Sequence, residues 1–160
     1  MSLERRLAEL GLDLPGTAAP GARYAAVVVH AGIAWVSGQL PRDGERVLFA
    51  GKLGRVVSID DAKQGARIAL LRGLAALRDE LGDLRRVRQV LKLNVFVNSA
   101  EDFTQHSAVA DGASELIYEL FGPTLGAHAR TSVGVAALPR DGCVELDLTV
   151  AVEDAAPATS

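Results

Sequence analysis

Residues 128–152 read HARTSVGVAALPRDGCVELDLTVAV, and the reading of this stretch decides the fold. Val144, Leu146, Leu148, Val150 and Val152 alternate with Glu145, Asp147, Thr149 and Ala151. That period of two sends alternate side chains to opposite faces of a strand. Val133 and Val135 give a shorter version of the pattern upstream, and Pro139-Arg140-Asp141-Gly142 between the two strands has turn chemistry. The stretch therefore predicts a β-hairpin. Its valines and leucines face a core, while Arg130, Ser132, Glu145, Asp147 and Thr149 share the other face. With a turn at 139–142, Ala136 lies opposite Glu145 and Arg130 sits six residues further along. That is about 20 Å at ~3.3 Å per residue, too far for one chain to bring both groups to one small ligand. Neighbouring chains in a ring can do so.

Outward from the hairpin, the clearest element is a helix from Ser58 to Leu81. Ser58 can cap it, Asp60 and Asp61 suit the positive end of its dipole, and Gly82 ends it. Ala62, Ala66, Leu70, Leu74, Leu77 and Leu81 recur at three and four residues, as one buried face requires. Residues 88–98 alternate apolar and other residues and predict a strand. Residues 102–121 predict a second long helix, stopped by Gly122-Pro123. Upstream, residues 24–30 and 33–38 are β-rich, with Ala31-Gly32 as a hairpin turn. A short strand fits at 46–49. Residues 2–11 predict a helix capped by Ser2 and stopped by Gly11, followed by a Pro- and Gly-punctuated connector.

The order is strands, helix, strand, helix, strands. It predicts an α+β single domain with two helices packed on one face of a mixed β-sheet. Residues 1–22 form an N-terminal helix and connector, 23–153 the domain and 154–160 a polar tail. The second sheet face is left uncovered, and another chain is the economical cover.

Composition narrows the function classes. The 160 residues are 49% hydrophobic but only 4% aromatic, so aliphatic side chains must build the core. The net charge of −3 supplies no basic field for nucleic acid. The local run Arg85, Arg86, Arg88 and Lys92 reads as a solvated connection. No apolar run reaches the ~18 residues that span a membrane. One cysteine, Cys143, makes no intrachain disulfide and suits a reducing compartment, with cytoplasm the default. His30, His106 and His128 lack metal-ligand spacing.

The run from Arg130-Thr-Ser132-Val133 through Leu138-Pro139 to Val144-Glu145, with Tyr24, Gly32 and the V-S-G-Q-L-P of Val36–Pro41, closely resembles the signature of the YjgF (RidA-like) family of reactive imine deaminases. The phrases GASEL and GAHART resemble a longer-chain branch, and the resemblance covers most of residues 20–152. It implies a chorismate-mutase-like fold, assembled as a homotrimer whose sheets form an inward-facing barrel with sites at the interfaces. It implies a hydrolase that turns 2-imino or enamine acids into 2-keto acids and ammonia without a cofactor or metal.

By that resemblance Arg130 holds the substrate carboxylate and Glu145 polarises a water. Tyr24 borders the substrate and the Gly38 N–H, beside Ser37, helps bind it. His128, two residues before Arg130, joins the candidates by position. Taken alone, Arg130 is an ordinary strand arginine paired with a carboxylate, Glu145 a solvent-facing glutamate, and Tyr24 and Gly38 strand residues. Ser132 departs from the family, many of whose deaminating members carry cysteine there. A non-catalytic trimer that binds small carboxylates is the alternative. So is an RNA-binding or endoribonuclease-type (L-PSP-like) translation inhibitor, since family members have been described in those terms.

Overall fold

Ser58 and Gly82 frame the longest element of the computed structural model, which describes residues 2–17 and 19–155. Helix α2 (Ile59–Leu81) begins where the Asp61 N–H donates to Ser58 Oγ at 3.1 Å. It ends where Gly82, at φ 74°, turns its N–H back to Arg78 O. Its buried stripe runs through Ala62, Ala66, Ala69, Leu70, Leu74 and Leu77. Helix α3 (His106–Leu125) packs against it, and a Cβ at Gly112 would collide with the Lys63 backbone, so the two helices cross at a glycine. The expected stop is present: Gly122 leaves helical geometry at φ 77°, ψ 177°, ahead of Pro123. The first helix, α1 (Leu3–Glu9), is capped by Ser2 and packs on α3.

Five strands form the main sheet: β1 (Val27–His30), β2 (Ile33–Gln39), β5 (Val87–Asn98), β6 (Ala129–Val135) and β7 (Val144–Val152). A two-stranded ribbon, β3 (Arg42–Asp43) with β4 (Arg46–Val47), lies apart from it. The sheet order is β1-β2-β7-β5-β6. Strand β1 turns into β2 through Ala31 and Gly32, both at positive φ. The path β5–α3–β6 is a crossover joining two parallel strands. Leu93, Val95, Leu146, Leu148, Val36 and Ala34 face the helices and are buried, so the core lies between α2, α3 and one sheet face. The fold is thus α+β with a mixed sheet. Its other face carries Val28, Trp35 and Val133, which are 53%, 46% and 41% exposed.

The predicted C-terminal hairpin is corrected. Strands β6 and β7 do not pair with each other, because β5 lies between them, parallel to β6 and antiparallel to β7. The turn at 139–142 exists, with Arg140 and Asp141 at positive φ, but it carries the chain over the end of β5. The predicted faces of β6 are also reversed. Arg130 is in register with Leu93 and Ser132 with Val95, on the helix side, whereas Val133 lies beside Phe96 on the open side. The tail beyond residue 155 lies outside the described residues.

Candidate functional site

The candidate residues divide into two groups. The first gathers at a bulge in β2. Val36 pairs with Leu148 and Gln39 with Leu146, so three steps on β2 match two on β7, and Ser37 and Gly38 are left out of register. The Ser37 hydroxyl donates to Ala25 O at 2.7 Å and its N–H to Ala26 O at 2.9 Å. Those bonds tie residues 24–26 alongside the bulge and bring Tyr24 to it. Glu145, on β7, alternates with buried Val144 and Leu146, so its side chain lies on the open face. Its carboxylate rests on Gly38: any Cβ there would collide with Glu145 Oε1. Burial pushes the Glu145 carboxyl above its ordinary pKa, and the charge of Asp147 adds to the effect. Among the described residues nothing donates a hydrogen bond to it, while Asp147 accepts one from Asn94 Nδ2 at 2.8 Å. Tyr24, Ser37, Gly38 and Glu145 line a cavity of about 640 Å³ that extends past Arg42 to Arg72 on α2.

The second group stands at the β6 edge. Arg130 Nη1 donates to Asp111 Oδ1 at 2.8 Å and to Ser114 Oγ at 3.1 Å, both on α3. The ion pair is partly covered, with side-chain exposures of 24% and 48%. His128 completes the network. Its Nδ1 lies 2.6 Å from Gly126 O, which can only accept, so Nδ1 carries the proton. Its Nε2 is then free to accept from Ser114 Oγ at 2.9 Å. The Arg130 bonds use Nη1 alone, and Nε and Nη2 have no partner among the described residues. Ser132 meets Ser107 Oγ at 3.4 Å, nearer the N-terminus of α3. Arg130 and His128 line a shallow depression of about 350 Å³ with Tyr118 and Glu115.

The structure does not bring the two groups together. Arg130 is level with Leu93 and Glu145 with Phe96, three residues apart on β5 and one strand to either side of it. At ~3.3 Å per residue and ~4.8 Å per strand their Cα atoms are about 14 Å apart. This replaces the 20 Å of the hairpin reading. Their side chains leave opposite faces of the sheet, so no rotamer joins them within one chain. Asp111, Ser114 and Arg72 were not singled out in the sequence. The first two lie on α3 at a separation that brings both to Arg130. Arg72 shares its helical stripe with Gly65, Ala69 and Ala76, a spacing that marks it as inward-facing.

A family model described as "YjgF/chorismate mutase-like, putative endoribonuclease" matches residues 4–149. The chain belongs to the YjgF family. It is 44% identical over 144 residues to Protein TCP17 of Trypanosoma cruzi, covering 90% of each. The crystal structure of Atu1372 from Agrobacterium tumefaciens matches at 37% identity and a TM-score of 0.84, over 94% of this chain and 91% of that one. The fold also matches the YjgF gene product of E. coli, at 23% identity and a TM-score of 0.57, over 86% of this chain and 96% of that one.

Two further features of this YjgF-family chain follow from its contacts. The basic run 85–92 is engaged locally: Arg85 pairs with Asp83 at 2.7 Å, Arg88 with Glu153, and Lys92 donates to Thr131 Oγ1. Arg86 donates to the carbonyls of Leu81 and Glu153. Cys143 is fully buried, and burial pushes its thiol up to about 11, which suits a packing role.

Proposed function

We propose that the chain is a cofactor-free deaminase that hydrolyses 2-imino acids, or their enamine tautomers, to 2-keto acids and ammonia. One observation carries the reading: a half-buried carboxylate, Glu145, lies in a cavity against Gly38 with no hydrogen-bond donor among the described residues. A desolvated carboxylate with a raised pKa is suited to take and return a proton. Family membership supports a small-molecule or deaminase-type role.

In this reading a water is held by Glu145. Its oxygen adds to the C=N carbon while Glu145 takes its proton, giving a tetrahedral carbinolamine. That proton goes to the nitrogen to complete the carbinolamine; the carbinolamine's hydroxyl proton then passes through Glu145 to the same nitrogen, the C–N bond breaks, ammonia leaves and the C=O bond forms. The imine carbon is already electrophilic, so the step asks for proton transfer and orientation alone. The Gly38 N–H and Tyr24 border the substrate. Its carboxylate is held by the free edge of Arg130 from a second copy, because Arg130 of the same chain points from the other sheet face. A bidentate guanidinium–carboxylate pair fixes orientation as well as position. The exposed face bearing Val28, Trp35 and Val133 gives the copies a surface to share, and a homotrimer is the proposed assembly.

The test is imine hydrolysis. An amino-acid oxidase generates the imine, keto acid is detected, and the uncatalysed rate is subtracted. The expected result is a rate well above background that falls on replacing Glu145. A wild type that adds nothing to background makes the chain a carboxylate binder.

A further inference from the structure

The described chain buries two polar or charged side chains, Asn98 and Arg72, and it treats them differently. Asn98 is satisfied on every side. Its Nδ2 donates to Gly142 O at 3.1 Å and Asp141 Oδ1 at 3.2 Å, and its Oδ1 accepts from Lys52 Nζ at 2.7 Å. Arg72 is 6% exposed and makes one long bond, Nη1 to Arg42 O at 3.4 Å. Its Nε is buried without any partner, and no carboxylate lies within ion-pair distance among the described residues. Arginines are almost never buried unpaired. A guanidinium has five donors, so most of its hydrogen-bonding capacity is unused here. Burial and the positive charge of Arg42 both work against its charged form, and the more distant charge of Glu45 offsets them only in part.

Arg72 lines the same cavity of about 640 Å³ as Glu145 and Gly38. A water's share of liquid volume is about 30 Å³, so the cavity exceeds what a three- or four-carbon acid fills. Of the other arginines on its wall, Arg140 is paired with Glu45 and Arg42 has no ion-pair partner among the described residues. We propose that this cavity is an anion site in which Arg72, assisted by Arg42, recognises a carboxylate at the far end of the substrate's side chain. The substrate class is then a dicarboxylic 2-imino acid: one carboxylate goes to Arg130 of a second copy and the other to Arg72. A planar fork of N–H donors fits a carboxylate bidentately. Glu45, Asp79, Glu80 and Glu145 also line the cavity; Glu45 is paired with Arg140 and Asp79 with Arg78. This inference rests on the deaminase reading for the word substrate, but the binding it describes stands apart from turnover.

The experiment is calorimetry on the full chain with two probes of equal carbon number, 2-oxoglutarate and 2-oxopentanoate. Wild type is expected to bind 2-oxoglutarate at least about tenfold more tightly, the effect of one charge-assisted hydrogen bond. Arg72→Met is expected to bring the two affinities together while leaving 2-oxopentanoate unchanged. A structural arginine would not move that ratio. If Arg72→Met does not fold, Arg72→Lys keeps a charge on a single-headed donor, and the preference should shrink without vanishing. Equal affinities in wild type overturn the proposal, and so does a preference that survives in the Arg72 variant. A chain that prefers 2-oxoglutarate but hydrolyses no imine keeps this site and loses the deaminase. A chain that hydrolyses 2-iminopentanoate and 2-iminoglutarate equally keeps the deaminase and loses this site.

Discussion

The cleft around Glu145 and the depression around Arg130 differ in the company each charged group keeps. Glu145 lies on the open face of the sheet, in a cavity that reaches α2, with no hydrogen-bond donor among the described residues, and burial raises its pKa. Arg130 sits at the edge strand in a shallow depression, already held by Asp111 and Ser114, with His128 behind Ser114. The first is a group left reactive, the second a group held in position. A proton carrier needs a perturbed environment, whereas a clamp needs a fixed orientation. The two lie on opposite faces of one sheet, about 14 Å apart at ordinary strand spacing. In the proposed reading, one chain offers two halves that a neighbouring copy completes.

The largest expected effect falls on the reactive half. Glu145→Gln keeps the shape and removes the base, so imine hydrolysis should fall about 10²–10⁴-fold with little change in keto-acid affinity. Equal rates for variant and wild type would move the proton-transfer role to another group, with His128 next.

Next comes Gly38→Ala. The added methyl meets the Glu145 carboxylate and must displace it. A shift on the order of 1 Å can cost about 10²-fold in rate. Melting temperature should barely change, because the side chain can swing aside. A large loss of stability with normal turnover would show that the close approach matters for folding instead.

The held half should respond in binding. Arg130→Ala should weaken keto-acid binding at least about tenfold, the effect of losing a charge-assisted bond. The partly exposed pair with Asp111 should cost under about 1 kcal/mol of stability. Unchanged affinity by calorimetry would remove Arg130 from the site.

The smallest effect is on stability against pH. The folded Glu145 carboxyl holds its proton more tightly than the unfolded one, whose ordinary value is 4.5. The stabilisation this brings is complete below about pH 4.5 and is lost as pH rises through the folded value. Above the folded value the charged carboxylate is therefore a burden. Glu145→Gln should raise the melting temperature slightly at pH 7, on the order of 1–2 °C, with the gap closing below the ordinary carboxylate range. A gap that widens on acidification would mean the carboxylate is stabilised in its charged form.

Local signals in the sequence were dependable. Ser58 and Gly82 marked α2, Gly122-Pro123 marked the break in α3, and Ala31-Gly32 marked the first turn, because capping and positive φ are decided within a few residues. The last two strands were misread as neighbours. Period and turn are visible locally, but the insertion of β5 between them depends on residues some forty positions upstream. The side of β6 was misassigned because Arg130, Ser132 and Gly134 form no apolar row, and the valines that do form one face outward. At the site, Tyr24, Ser37, Gly38 and Glu145 could be named in advance through the family resemblance, and the structure places them on one cavity. Arg72 went unnamed because a lone arginine in a helix reads as solvated; only its register with Gly65, Ala69 and Ala76 betrays it.

The most direct test of the two-half account mixes two disabled chains. Arg130→Ala lacks the clamp and Glu145→Gln lacks the base, so well below substrate saturation each should keep at most about a tenth of wild-type activity by itself. Co-expressed in equal amounts, they should form assemblies in which some interfaces pair an intact Arg130 with an intact Glu145. Random association makes that about one interface in four, so roughly a quarter of wild-type imine hydrolysis should return. Light scattering on the same sample should give about three times the 16.8 kDa of one chain. Activity no greater than the sum of the separate variants, or a particle of one chain's mass, would contradict a site shared between copies.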